Sequence, residues 1–86
     1  MRNVAFHERA FENFTNWASV NKNIFERLVY LIKETRKDPF TGVGKPELLK
    51  HELKGFWSRR IDEEHRLIYQ VKDDEIHIAK CRFHYD

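Results

Sequence analysis

The 86-residue chain has one cysteine, two prolines, three glycines and a net charge of only +2, and each shortage excludes something. A lone Cys81 cannot close an intramolecular disulfide, so nothing points to an oxidising compartment. The stretch from Met1 to Phe14 is interrupted by Arg2, His7, Glu8, Arg9 and Glu12. It has no apolar core of the ~7–15 residues a signal peptide needs, and no run elsewhere approaches a membrane span. A cytoplasmic protein is expected. Proline and glycine cluster: Pro39, Gly42, Gly44 and Pro46 mark Asp38 to Pro46 as a loop. Repeats and low-complexity segments are absent.

Aromatic residues are plentiful. Seven Phe, three Tyr and two Trp, each able to bury roughly 150–250 Å², can build the small core of a single domain spanning residues 1–86. Asn3-Val4-Ala5-Phe6 suits a first strand. From Glu8 the residues Ala10, Phe11, Phe14, Trp17 and Ala18 recur at helical spacing and predict an apolar stripe. The pattern breaks at Val20-Asn21-Lys22. Asn23 and Glu26 then have the spacing of a capping box for a second helix that buries Ile24, Leu28, Leu31 and Ile32. Lys33, Arg36 and Lys37 sit in its last turn, where the macrodipole favours cations.

After the loop the period changes to two. Phe56 to Ile61, Arg66 to Val71 and Ile76 to Phe83 read as three strands joined by acidic turns at Asp62–Glu64 and Lys72–Glu75. Such short connections predict an antiparallel meander. The expected fold class is α+β, an N-terminal strand and a helical hairpin packed on one face of an antiparallel sheet.

Charge and alternation point to a polar face. Residues 45–60 carry Lys45, Lys50, Lys54, Arg59 and Arg60 against only Glu47 and Glu52, a local basic surface suited to phosphate. Leu67, Tyr69 and Val71 should point one way, and Arg66, Ile68 and Gln70 the other. In the last strand Ala79, Cys81 and Phe83 should lie opposite Lys80, Arg82 and His84. His77, Cys81 and His84 have a spacing reminiscent of metal ligands. On a strand, however, the first two are ~13 Å apart at ~3.3 Å per residue and the third faces away. No metal is expected.

The runs Gly44-Lys45-Pro46-Glu47, Leu49-Lys50-His51, Gly55-Phe56-Trp57-Ser58-Arg59-Arg60-Ile61, Glu63-Glu64-His65-Arg66-Leu67-Ile68-Tyr69 and Cys81-Arg82-Phe83-His84-Tyr85 resemble the YoeB (Txe) toxins of the RelE superfamily. The resemblance is dense over residues 36–85 and looser over the first helix. It implies a RelE-like, microbial-RNase-like fold and a toxin of a type II toxin–antitoxin pair. Such a toxin cleaves mRNA in the ribosomal A site without metal or other cofactor, and a YefM-type antitoxin neutralises it. A homodimer fits the same resemblance. So do catalytic roles for Glu47, Arg66 and His84, and substrate-binding roles for Lys50, Arg60 and Tyr85.

The chemistry stands on its own terms. RNA cleavage of this kind uses the substrate's 2′-hydroxyl as nucleophile and leaves a cyclic phosphate and a 5′-hydroxyl. It needs a base, an acid and cations for the phosphorane. Glu47 suits the base. His84 suits the acid, since imidazole titrates near ~6.5, and Arg66 offers a permanently charged fork for phosphate oxygens. Tyr85 offers a ring for base stacking. Phe56 and Trp57 suit a core or an interface, and His51 and His65 are read as non-catalytic. Two departures from the family pattern stand out: the extra Asp86 after His84-Tyr85, expected to raise the histidine's pKa, and Leu48 where proline often follows the glutamate, expected to loosen the backbone there. Two other functions use the same scaffold, a non-catalytic RNA- or protein-binding module and a gyrase-directed toxin. Neither needs Glu47, Arg66 and His84 as a set.

Overall fold

The structure is a computed structural model that describes residues 1–83. The first strand, β1 (Asn3–Phe6), leads into α1 (Glu8–Val20) and α2 (Lys22–Lys37). A long loop then reaches β2 (Glu47–Leu48), a short 3₁₀ turn (His51–Leu53), β3 (Trp57–Arg60), β4 (Arg66–Val71) and β5 (Glu75–Lys80). Among the described residues no helix is long and apolar enough to cross a membrane.

One residue separates the two helices. Asn21 is extended, its N–H donates to the Trp17 carbonyl to end α1, and its side chain accepts from Ile24 N at 3.1 Å to start α2. The cap therefore falls two residues before the expected Asn23, which lies inside the first turn. Leu28, Leu31, Ile32 and Thr35 form the buried stripe of α2, with Ile24 half-buried. The stripe of α1 is narrower than its periodicity predicts: Ala10 and Trp17 are buried and Phe14 packs beside them, while Phe11 and Ala18 are exposed. The helix is turned so that Asn13 and Trp17, rather than Phe11, meet the end of β5. Asn13 Oδ1 accepts from Cys81 N, and Trp17 Nε1 donates to the Cys81 carbonyl at 2.8 Å.

The five strands run in the order β1-β5-β4-β3-β2. β3, β4 and β5 form the expected antiparallel meander, β2 extends it antiparallel beside β3, and β1 adds to β5 in parallel, so the sheet is mixed. The chain crosses from β1 to β5 through everything between, which permits a parallel pair where a hairpin would not. Periodicity predicts no strand at residues 47–48. Glu47 and Leu48 instead pair with Ser58 and Trp57, and Leu49 N donates to the Phe56 carbonyl. Leu49 rather than Leu48 supplies that N–H, and the segment is an edge strand.

The strand expected to run to Phe83 ends at Lys80, and its pairing slips. Ile68 pairs with Lys80 but Tyr69 with Ile78, which leaves Ala79 as a bulge. The bulge reverses the alternation. Ile76, Ile78 and Cys81 are all fully buried, which an unbroken period of two forbids. Phe83, expected on the apolar side, is half exposed and has a φ of 62°, a left-handed turn that cannot continue a strand.

Candidate active site

The helices cover the face that carries Leu67, Tyr69, Ile76 and Ile78. The opposite face is built by register. Glu47 pairs with Ser58, Ser58 with Ile68, and Ile68 with Lys80, one residue from each of four neighbouring strands. Two residues along, Arg60 pairs with Arg66 on the same side. As the alternation in β4 predicts, Arg66 lies away from the Leu67–Tyr69 side.

A cavity of about 120 Å³ opens on this face, lined by Lys45, Glu47, Ser58, Arg60 and Arg66. Three cations and one carboxylate share it. Arg66 is 6% exposed. Its Nη1 donates to the carbonyls of Asp62 at 2.7 Å and His65 at 3.1 Å, which fixes the direction of the guanidinium. The turn that supplies those carbonyls is itself tied: Asp62 Oδ1 accepts from Glu64 N and His65 N, and Ile61 N donates to the His65 carbonyl. Lys45 enters the cavity from a residue with φ of 53°, between Gly44 at φ 86° and Pro46. Arg60 N donates to the Gly44 carbonyl at 2.7 Å, so the loop that brings Lys45 and Glu47 is stitched to the start of the turn that brings Arg66.

Of the six residues singled out in the sequence, Glu47, Arg60 and Arg66 converge here. Lys50 lies in an adjoining open groove of about 730 Å³ lined by Glu47 to Leu53, so Glu47 belongs to both. His84 and Tyr85 lie outside the described residues, as does Asp86. Lys45 and Ser58 complete the cavity and were missed as site residues. Ser58 was legible, since it alternates with Arg60 on β3.

One residue of the basic cluster does not reach the surface. Arg59 is fully buried beneath the helices. Its guanidinium donates to the carbonyls of Asp38, Thr41 and Val43, and its Nε donates to Tyr69 Oη at 3.2 Å. Tyr69 Oη in turn donates to the Pro39 carbonyl at 2.6 Å. A cation read as part of a phosphate-binding surface is instead the post around which the 38–44 loop folds. Burial pushes the Tyr69 phenol up from its ordinary value, against the opposing pull of Arg59. At the loop's start, hydrogen bonds from the Thr41 hydroxyl and the Phe40 amide hold the Asp38 carboxyl below the usual carboxylate range.

Cys81 donates its thiol to the Ala10 carbonyl, and burial pushes its pKa up to about 12. His77 lies on the other face, where its Nε2 is 2.8 Å from Glu75 Oε1. Among the described residues no three His, Cys, Asp or Glu side chains come together as a metal site.

Comparison with known proteins agrees with this architecture. Residues 6–85 match the family model described as the YoeB-like toxin of bacterial type II toxin–antitoxin systems. The chain is 54% identical over 82 residues to the toxin YoeB of Escherichia coli K12, covering 95% of this chain and 98% of that one. It superposes on a chain of the YoeB–YefM complex from Staphylococcus aureus with a TM-score of 0.89 at 41% identity, covering 99% of each. The YoeB dimer from the same organism gives 0.90 at 40% identity over 98% of each chain.

Proposed function

The chain belongs to the YoeB-like toxin family of bacterial type II toxin–antitoxin systems, and we propose that it acts as a ribosome-dependent mRNA endoribonuclease. The observation that carries this reading is the convergence of Glu47 and Arg66, from separate strands, in one small cavity with Lys45, Ser58 and Arg60. That set supplies a carboxylate for taking up a proton and several positive charges for a phosphorane, on a face the helices leave open.

In the proposed reaction Glu47 takes the proton from the 2′-hydroxyl at the cut. The freed oxygen attacks the neighbouring phosphorus, Arg66 holds two of the phosphate oxygens, and His84 gives a proton to the departing 5′-oxygen. The products are a 2′,3′-cyclic phosphate and a 5′-hydroxyl. Each proton-transfer group is typically worth ~10²–10⁴-fold, and a charge-stabilising donor about 10²–10³-fold. Lys50 and Arg60 hold flanking phosphates, and Tyr85 stacks on a base. DNA lacks the nucleophile, so the reaction is confined to RNA. The chain works in the cytoplasm, in the A site of the small ribosomal subunit. A YefM-type antitoxin neutralises it and it pairs with a second copy of itself, in line with the S. aureus YoeB–YefM complex and YoeB dimer.

Primer extension on mRNA from a ribosome-containing translation reaction tests this directly. Wild-type protein should cut at A-site codons, and the cuts should vanish with His84→Gln. A message left whole by the wild type would replace this reading with the binding-module or gyrase-directed one, and DNA supercoiling would be assayed next.

A further inference from the structure

The segment that leads to His84 runs past the end of β5 and is held by side chains of α1, by the β3–β4 turn and by the first residue of β4. β5 ends at Lys80, yet both backbone polar groups of Cys81 and both of Phe83 are partnered. Cys81 N donates to Asn13 Oδ1 at 3.2 Å, and its carbonyl accepts from Trp17 Nε1 at 2.8 Å. Phe83 N donates to His65 Nδ1 at 2.8 Å, and its carbonyl accepts from Arg66 N at 2.9 Å. His65 in the β3–β4 turn and Arg66 at the start of β4 thus grip one residue from both sides, and that residue has a φ of 62°, where bulky side chains seldom rest.

His65 is built for this. It is 7% exposed, with the Trp17 ring at 4.8 Å edge-on and the Phe83 ring at 5.6 Å. A backbone N–H can only donate, so Nδ1 must carry a lone pair and the ring proton sits on Nε2, 3.6 Å from Glu64 Oε1. The next residue, Arg66, is the one whose guanidinium lines the cavity with Glu47. His65 and Arg66 therefore tie the phosphate-holding cation to the peptide of Phe83, the residue before His84.

We propose that His65 is a positioning residue for the reaction: by accepting from the Phe83 amide through neutral Nδ1, it fixes the backbone from which His84 and Tyr85 extend, relative to Arg66. The proposal rests on the ribonuclease reading, because it assigns His65 a purpose through His84. His65 touches no substrate and is not itself a catalytic residue.

The test contrasts His65→Asn with His65→Gln. The asparagine oxygen falls close to where Nδ1 lies and keeps the acceptor, whereas the glutamine amide reaches past it. Two readouts are taken: hydrogen exchange of the Phe83 amide in the free protein, and kcat and KM for cleavage of ribosome-bound message. The Gln variant should expose the Phe83 amide to exchange and lose about 10²-fold in kcat with KM little changed, the penalty of an ångström-scale misplacement. The Asn variant should keep amide protection and stay within about tenfold of wild-type kcat. Equal losses in both variants, or a Gln variant that exchanges freely yet cuts like wild type, would overturn the proposal. If the Gln variant does not fold, the outcome rests on the other two proteins: an unprotected Phe83 amide in the wild type, or an Asn variant that keeps protection but loses kcat, overturns it. A wild type that protects Phe83 but leaves the message whole refutes the ribonuclease reading, and this role with it. The exchange data, collected without RNA, separate that failure from failure of the anchor.

Discussion

Arg59 Nε donates to Tyr69 Oη, a buried contact between β3 and β4 from which both side chains reach the loop that leads to Lys45. The remaining guanidinium hydrogen bonds go to three loop carbonyls, so the loop folds around a charge instead of around apolar side chains. Leaving a buried partner unsatisfied costs about 1–3 kcal/mol. Tyr69→Phe, which removes the donor to the Pro39 carbonyl, should therefore lose about that much in urea denaturation. Arg59→Leu, which strands three carbonyls, should lose roughly 3 kcal/mol or more. A wild-type midpoint for Arg59→Leu would show that the loop holds itself.

Gly44 and Gly55 both have positive φ, at 86° and 95°, but only one is crowded. A Cβ at Gly44 would meet Leu31 Cδ2 at 3.0 Å, Arg59 Cβ at 3.1 Å and the Arg60 carbonyl at 3.2 Å, whereas nothing lies within 4 Å at Gly55. Gly55→Ala should cost about 1 kcal/mol, from the backbone alone. Gly44→Ala should cost roughly twice that or more, because the overpacking adds to it. Thermal melting of the two variants gives the comparison, and equal losses would mean that the contacts relax freely.

Alkali should unfold this protein through two buried acids. Cys81 rises from its ordinary 9.0 to about 12, and Tyr69 is raised as well. A group whose pKa is higher in the folded state keeps its full contribution below its unfolded pKa and loses it as pH rises through the folded one. Stability should hold up to about pH 9 and fall towards about pH 12. Cys81→Ala should flatten that slope. At neutral pH the native thiol should also resist alkylation, and a thiol that labels as fast in native protein as in urea would contradict its burial.

At the site, Arg66→Lys keeps a positive charge but cannot serve the Asp62 carbonyl and two phosphate oxygens together. It should lower kcat by about 10²–10³-fold while leaving the melting temperature within a few degrees. Loss of fold in step with loss of activity would assign Arg66 to the turn alone.

Much of this architecture was legible. β4 was read to the residue, because the β-prone run Arg66 to Val71 is bounded by two acidic turns. Glu47, Arg60 and Arg66 were singled out by family likeness, and parity in β4 placed Arg66 away from the Leu67–Tyr69 side. The misses come from interactions no local pattern encodes. Nothing in Trp57-Ser58-Arg59-Arg60 says that one arginine turns inward, since that depends on carbonyls from the 38–44 loop. Residues 3–6 read as a strand, but their parallel pairing depends on β5, far along the chain, and the two-residue β2 gains its strand character only from pairing with β3. The bulge at Ala79 is likewise invisible, as are the side-chain anchors of Cys81 and Phe83.

The most direct test of the ribonuclease assignment is a message carrying a single 2′-deoxynucleotide on the 5′ side of a mapped A-site cut. Cleavage there should stop while other sites are still cut, and cuts in the unmodified message should carry 5′-hydroxyl ends. Undiminished cutting at the deoxy position, or 5′-phosphate ends, would contradict an attack by the 2′-hydroxyl and the roles given to Glu47 and His84.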